Sequence, residues 1–320
     1  ASAYLELIAL LKKYCATEIE VSINNLKRAD ISHYHTVDFR FFCSTFLPFR
    51  GKKIGYVHFL PETLEGSLKL PRLAKVVFYR YLITFYKRMD ALVVVNPSFI
   101  PKLEAYGIPA AKITYIPNFV SQTEFYPQAA TKTELRQKLG LKDRFTVLGV
   151  GQVQARKGVF DFIELAKNNP QLQFVWVGGF SFGKITDGYT ELKKVVANPP
   201  SNLIFPGIVE RQQMNYYYNA ADLFLLPSYN ELFPMSILEA FNCRTPVLLR
   251  DLELYHAIIA GYYEPAKDRA EMDIKIKRLA ANPDWLTTLK DKANRAATYY
   301  SEKRLAQIWK EYYLAQAKRD

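Results

Sequence analysis

The sequence predicts an α/β protein of two domains, each built on a parallel sheet with crossover helices. Three observations carry this reading. Short apolar runs alternate with helical patterns along most of the chain, in two successive series. Between the series, Pro117, Pro127 and the polar run 130–134 break the pattern. The length, 320 residues of which 49% are hydrophobic, suffices for two cores of ordinary size.

Residues 1–14 place apolar side chains at helical spacing, and residues 18–23 alternate like a strand. A protein of this class rarely opens on so apolar a helix, so a first strand of the N-terminal domain is expected ahead of residue 1. Further strands are expected at 30–33, 53–57, 91–95 and 113–115, with a long helix over 71–88. The second series reads strand 145–150, helix 159–168, strand 173–177, helix 189–197 and strand 203–206. It continues with helix 212–220, strand 223–226, helix 235–243 and strand 246–249. Three helices close the chain at 271–279, 285–299 and 302–317, punctuated by Asn282-Pro283 and Ser301. The expected domains are 1–122 and 123–301, with the helix from about 302 to 320 packing back on the first.

Composition narrows the function. No run of roughly 18 uninterrupted apolar residues appears. Cys15, Cys43 and Cys243 are far apart and form neither a metal-type cluster nor a disulfide framework, which points to a reducing compartment. A net charge of +12 favours polyanionic partners: phosphate-bearing ligands, anionic lipid or nucleic acid.

The most specific stretch is Pro-Ser-Tyr-Asn-Glu-Leu-Phe-Pro-Met-Ser-Ile-Leu-Glu-Ala, residues 227–240. It follows an apolar strand and opens a helix, where α/β sheets bind ligands. Pro234 suits the first helical turn, because its missing N–H would have no partner there. The N–H groups of Met235 and Ser236 then form an anion site suited to a pyrophosphate. Glu231 stands just before that site and Glu239 two turns into the helix, so one can address a sugar and the other a ribose. A second site lies at 149–158, where glycines between a strand and a helix let backbone approach a phosphate and Arg156 and Lys157 supply charge. It lacks the Walker lysine pattern and the full dinucleotide fingerprint. No Asp-x-Asp is present, and Asp251-Leu252-Glu253 only approximates one, so neither a metal nor another cofactor is implied.

At these residues the second half resembles retaining glycosyltransferase family 4, which has the GT-B fold of two facing Rossmann-like domains. The family's two glutamates separated by seven residues are matched by Glu231 and Glu239, with Phe233 in register. The resemblance implies that the first contacts the donor sugar and the second the ribose. Its phosphate clamp is matched by Gly151, Lys157 and Gly158. The clamp's arginine position is Gln152 here, so either Gln152 or Arg156 takes that role. The glycines usual beside the first glutamate are Leu232 and Pro234. Residues 205–209, with Ile208, resemble the family's base-binding loop. In the first half, Tyr-Val-His-Phe-Leu-Pro at 56–61 resembles the strand end bearing the family's active-site histidine, here His58, and 116–118 resembles its domain-crossing strand. Within the family, the wording is similar to bacterial diglycosyl-diacylglycerol synthases, which implies transfer of galactose or glucose from a UDP-sugar to monoglucosyl-diacylglycerol. His33 and His35, lacking a third ligand, read as strand-end packing or acceptor contacts.

Residues 69–88 favour a lipid acceptor independently. Lys69, Arg72, Lys75, Arg80, Lys87 and Arg88 lie there with no acidic residue among them. Leu70, Ala74, Val77, Phe78, Tyr81 and Phe85 repeat at helical spacing as one core-facing stripe, leaving Leu73, Val76 and Ile83 on the basic side. Such a helix suits an anionic membrane surface. It predicts a peripheral enzyme on the cytoplasmic face of the membrane. No nucleic-acid-reading motif accompanies the charge. Three alternatives remain: a non-lipid acceptor, a GT-B sugar-nucleotide epimerase, and a non-catalytic membrane adaptor.

Overall fold

The computed structural model describes residues 3–64, 71–180 and 188–318. The chain divides into two compact units. One runs from Val120 to Ser301, and the other joins the chain before Val120 to the chain after Ser301.

The N-terminal unit contains α1 (Ala3–Tyr14), β1 (Ile31–Tyr34), α2 (Phe39–Ser44), β2 (Lys52–Val57) and α3 (Pro61–Leu64). It continues through α4 (Arg72–Lys87), β3 (Ala91–Val94), α5 (Phe99–Ala105) and β4 (Ile113–Tyr115). Its strands form one parallel sheet in the order β1-β2-β3-β4. β3 is Ala-Leu-Val-Val, buried at every position. An unbroken apolar run of this kind is what a parallel strand covered on both faces requires. The far edge of β1 borders a cavity of about 1060 Å³ lined by Tyr4, Leu7 and Leu11 of α1 and by Leu314 near the chain's end.

The second unit contains α6 (Lys132–Lys138), β5 (Thr146–Val150), α7 (Val159–Asn168), β6 (Gln173–Val177), α8 (Tyr189–Ala197) and β7 (Leu203–Gly207). Then follow α9 (Arg211–Ala220), β8 (Leu223–Leu226), α10 (Met235–Asn242), β9 (Val247–Arg250) and α11 (Glu253–His256). β10 (Glu264–Ala266), α12 (Arg269–Ala281) and α13 (Pro283–Tyr299) complete it. The six strands are parallel in the order β10-β9-β8-β5-β6-β7. Strand order therefore reverses between β5 and β8, which puts a crevice outside their carboxyl ends. The last helix, α14 (Glu302–Ala317), belongs to the first unit. There Lys13 pairs with Glu302 at 3.3 Å, and Tyr313 Oη lies 2.6 Å from His33 Nδ1.

Four expectations need correction. Residues 18–23 form no strand: their alternation has no ladder to join, and Ile23 is exposed. The run 130–134 does not only break the pattern but starts α6, because Thr131 and Glu134 close a capping box. α11 and β10 stand where no element was assigned, whereas α2, capped by the Asp38 side chain on the Arg40 N–H, and α5 fall between strands, where helical patterns were expected. On α4 the core stripe begins later than expected: Leu82, Phe85 and Tyr86 are buried, whereas Ala74 and Val77 are exposed. Leu70 and Lys69 lie outside the described residues.

The loops after β5 and β6 meet backbone to backbone. Gly151 N–H donates to the Val177 carbonyl at 3.0 Å, and Gly178 N–H to that of Gly207 at 2.9 Å. Gly178 has φ +142°, and a Cβ on it would stand 1.8 Å from the Gly151 oxygen. Gly178→Ala is therefore expected to force these loops apart and to cost about 3 kcal/mol of stability, measurable by urea denaturation.

Candidate active site

The crevice between β5 and β8 is lined by the loops that follow those strands, and the two loops are locked together. The β5 loop ends in a 3-10 turn, Ala155–Lys157, and Gly158. Gly158 has φ +73°, and a Cβ there would meet the Pro227 oxygen of the β8 loop at 2.2 Å. Only glycine permits that approach. Hydrogen bonds then cross the contact in both directions. Tyr229 N–H donates to the Arg156 carbonyl at 2.9 Å, and Arg156 Nη1 to the Asn230 carbonyl at 2.6 Å. The Lys157 ammonium reaches Glu231 Oε1 at 2.5 Å, with both side chains largely withdrawn from solvent. Lys157 and Glu231, 74 residues apart in sequence, thus share one site with Arg156. Gln152 accepts from the Gln154 side chain at 3.0 Å.

Beneath this contact lies a network that sequence reasoning missed. Arg250 at the end of β9 donates to Asp161 Oδ2 on α7 at 2.5 Å, and its Nε to the Pro227 carbonyl at 3.1 Å. Tyr229 Oη donates to the same carboxylate at 2.6 Å, with the Arg250 guanidinium 4.0 Å over its ring. Both charges of the pair are buried, and neither could be left alone cheaply. No local pattern could have revealed partners 89 residues apart.

α10 begins at Pro234, which is the cap residue and not the first helical one, and no side chain caps the helix. The N–H groups of its first turn, from Met235 and Ser236, keep the positive end of the helix dipole available for an anion. Phe233 turns inward, 4% exposed, with its ring 5.5 Å from Tyr300. Glu239 is buried on α10, where Tyr218 Oη donates to its Oε2 at 2.7 Å and Arg211 stands 3.7 Å from Oε1. Burial raises its pKa, against the opposing pull of Tyr218 and Arg211. Tyr218 and Arg211, both on α9, are a second pair that sequence reasoning missed. Ile208, after β7, is 77% exposed, with its side chain over Gly179.

In the N-terminal unit, His58 follows β2 and stacks on Tyr56 with ring centroids 4.4 Å apart. His35 stacks on the same tyrosine at 4.9 Å and lies tilted against His33 at 4.1 Å, while Trp309 of α14 lies parallel to Tyr56 at 6.0 Å. Burial depresses all three histidines: His58 to about 4, His35 to about 3, and His33 well below its usual value. Among the described residues, no group of three or more His, Cys, Asp or Glu is placed to hold a metal ion. On α4, Arg72, Arg80 and Lys87 are exposed and Lys75 is half-buried. No helix among the described residues is long and apolar enough to cross a membrane.

Comparison with known proteins bears on this geometry. The family profile described as "Glycosyl transferases group 1" matches residues 131–301, and that described as "Glycosyltransferase Family 4" matches residues 4–124. The alpha-galactosylglucosyldiacylglycerol synthase of Streptococcus pneumoniae is 52% identical, over 99% of this chain and 86% of that protein. The processive diacylglycerol alpha-glucosyltransferase of Acholeplasma laidlawii is 27% identical over 62% of this chain and 59% of its own. Among solved structures, Anabaena HepE in complex with UDP-glucose superposes with a TM-score of 0.76 at 17% identity, covering 89% of this chain and 79% of that one. That likeness places the fold among GT-B proteins.

The histidines give a prediction with a defined sign. A histidine whose folded pKa lies below its unfolded value, about 6.5, binds fewer protons when folded. Its contribution is complete above that value and is lost as pH falls towards the folded pKa. The melting temperature is therefore expected to drop as pH goes from about 6.5 to 4, and His58→Gln to flatten part of that drop. Thermal melts across this range check it.

Proposed function

The chain belongs to glycosyltransferase family 4, and from that premise we propose that it transfers a hexose, galactose or glucose, from a UDP-sugar to a membrane glycolipid, monoglucosyl-diacylglycerol, with retention of configuration. The observation that carries the donor assignment is the Lys157–Glu231 contact at the strand-order reversal, beside the uncapped start of α10. The acceptor assignment is supported by the likeness to an alpha-galactosylglucosyldiacylglycerol synthase of Streptococcus pneumoniae and a processive diacylglycerol alpha-glucosyltransferase of Acholeplasma laidlawii.

In this reading the departing diphosphate takes the place of Glu231 as the partner of Lys157, with the N–H groups of Met235 and Ser236 supplying further positive potential. Stabilising the leaving group is the main catalytic work, because this site offers no activated side-chain nucleophile. Glu231, released from Lys157, accepts hydrogen bonds from hexose hydroxyls. Gly151 leaves room for the phosphates, and Gln152, which carries no charge, lies beside them. Arg156 acts through the Asn230 carbonyl, holding the loop that carries Glu231. Phe233 supports that loop from the core. Glu239 accepts from the ribose hydroxyls, and backbone at Ile208 reads the base. His58, uncharged at neutral pH, contacts the sugar as a hydrogen-bonding group and not as a cation. No metal or other cofactor takes part. The enzyme works at the cytoplasmic face, held by Lys69, Arg72, Lys75, Arg80 and Lys87 against an anionic surface.

The deciding experiment incubates purified protein with labelled UDP-galactose or UDP-glucose, with and without monoglucosyl-diacylglycerol vesicles. Label appearing in a diglycosyl lipid supports the reading. Sugar released or isomerised equally well without lipid would sink it in favour of an epimerase or hydrolase.

Two predictions follow from the residue roles. Glu231→Ala is expected to abolish transfer, whereas Glu239→Ala mainly weakens UDP binding. The second loss is roughly 10- to 150-fold, the worth of about 1.5–3 kcal/mol for a hydrogen bond to a charged group. Steady-state kinetics and UDP calorimetry separate the two, and wild-type behaviour of both variants would overturn the site. Replacing Lys69, Arg72, Lys75 and Arg80 with glutamine is expected to cut partitioning onto anionic vesicles roughly 10²- to 10³-fold at low salt, at about 1 kcal/mol per charge, with UDP binding intact. The difference from wild type is expected to narrow as salt screens the attraction, which vesicle co-sedimentation measures.

A further inference from the structure

The basic helix α4 does not stand alone on its surface. Its exposed half carries two parallel lines at four-residue spacing. One is apolar, Leu73–Val77–Tyr81, and the other, Arg72–Val76–Arg80, is mainly basic. Leu73 is 77% exposed and Val77 61% exposed. At Tyr81 the apolar line runs into α2. The Tyr81 ring packs against Phe39 at 6.4 Å and Phe42 at 5.3 Å, and its hydroxyl donates to the Val37 carbonyl at 2.6 Å. Below it, Arg88 donates to Thr45 Oγ1 at 2.8 Å and lies 3.6 Å over the Phe46 ring. α2 is thereby fixed along α4 by a hydroxyl, a guanidinium and a ring contact. Phe39 on α2 is nevertheless 66% exposed, and Phe46 in the turn after it 60% exposed. The sequence here, Phe-Arg-Phe-Phe-Cys-Ser-Thr-Phe, puts Phe39 and Cys43 on one face of α2 at helical spacing. The nearby acid, Asp38, is paired with Arg40 at 3.1 Å.

We propose that α2, the turn that follows it and the exposed side of α4 form a single lipid-docking face, in which Phe39, Phe46 and Leu73 enter the headgroup region of an anionic bilayer while Arg72, Arg80 and Lys87 contact its phosphates. This rests on the membrane reading above and adds to it a second element, α2, and a contribution that salt does not screen. Two observations commit the face to lipid. Large apolar side chains exposed beside arginines match the layered chemistry of an anionic interface, apolar below and anionic above. The aromatic rings also meet both kinds of side chain, Phe39 against Tyr81 of the apolar line and Phe46 under the Arg88 guanidinium, as side chains at such an interface do.

Cys43 provides the probe, since it is exposed while Cys15 and Cys243 are buried. An environment-sensitive fluorophore on Cys43 of the full chain is mixed with vesicles of phosphatidylglycerol and phosphatidylcholine, and co-sedimentation is measured on the same samples. The expected result is a blue-shifted, brighter emission that quenchers attached to the lipid suppress. The variant Phe39→Ser/Phe46→Ser/Leu73→Ser is expected to lose the binding that survives high salt, roughly tenfold for each side chain no longer withdrawn from water. UDP calorimetry on this variant verifies that it folds. Sedimentation with vesicles while the fluorophore remains in water would overturn the role of α2 and leave the basic helix as the contact. Failure to sediment at low salt would overturn the membrane reading itself, and this inference with it.

Discussion

In the second unit, what a ligand can meet depends on the place where β5 and β8 lie side by side. A parallel sheet whose strand order reverses must send the two loops at that point in opposite directions around the helices, and the gap between them is open at the carboxyl ends. Here the gap is narrow enough that the Gly158 backbone touches the Pro227 carbonyl. That contact allows Tyr229 to bond Arg156, Arg156 to bond Asn230, and Lys157 to reach Glu231. The charged groups are held by backbone geometry, so no long side chain has to search for its partner. The Arg250–Asp161 pair below adds rigidity from a third strand and a helix. Low mobility at the site costs little further entropy, because the sheet already supplies it.

The charges are also unequally placed. Lys157 and Glu231 neutralise each other at the crevice, whereas Glu239 sits deeper with a tyrosine hydroxyl and a more distant guanidinium. Burial makes its carboxylate more basic than usual. In the other unit, the three histidines are held uncharged by burial and by one another. The cations at the first cluster are matched by carboxylates, and much of the protein's remaining positive charge lies on exposed helix faces such as that of α4.

The main elements of the fold were legible because parallel strands covered on both faces must be apolar throughout, as 91–94 and 223–226 are. Alternation, by contrast, misled at 18–23, where it arose without a neighbouring strand to give it meaning. α6 was legible in principle, since Thr131 and Glu134 stand at capping-box spacing, but the polar residues around them masked it. At the site, Glu231, Lys157 and the start of α10 were visible as local patterns. Tyr218, Arg211, Asp161 and Arg250 were not, because their roles arise only when distant strands are brought into register. On α4, periodicity put the core-facing stripe largely on the wrong residues: of those described only Phe85 is buried, and it is joined there by Leu82 and Tyr86 from outside the expected stripe. Val77 fits the spacing and still faces outward.

The return of the chain through α14 gives the molecule an unequal kind of modularity. The unit from Val120 to Ser301 is one uninterrupted stretch and carries its own sheet, glycine contacts and ion pairs. The other unit is split in sequence: Trp309 and Tyr313 complete the packing around His33 and Tyr56. A single recombination point near residue 120 would therefore transplant the tail along with the second unit, and leave the recipient with a mismatched aromatic layer. Exchange between relatives would keep both units whole only as a cassette with two junctions, near Val120 and near Ser301. On that account, the middle segment can be exchanged as one piece, while the half holding the histidines evolves with both of its ends in step.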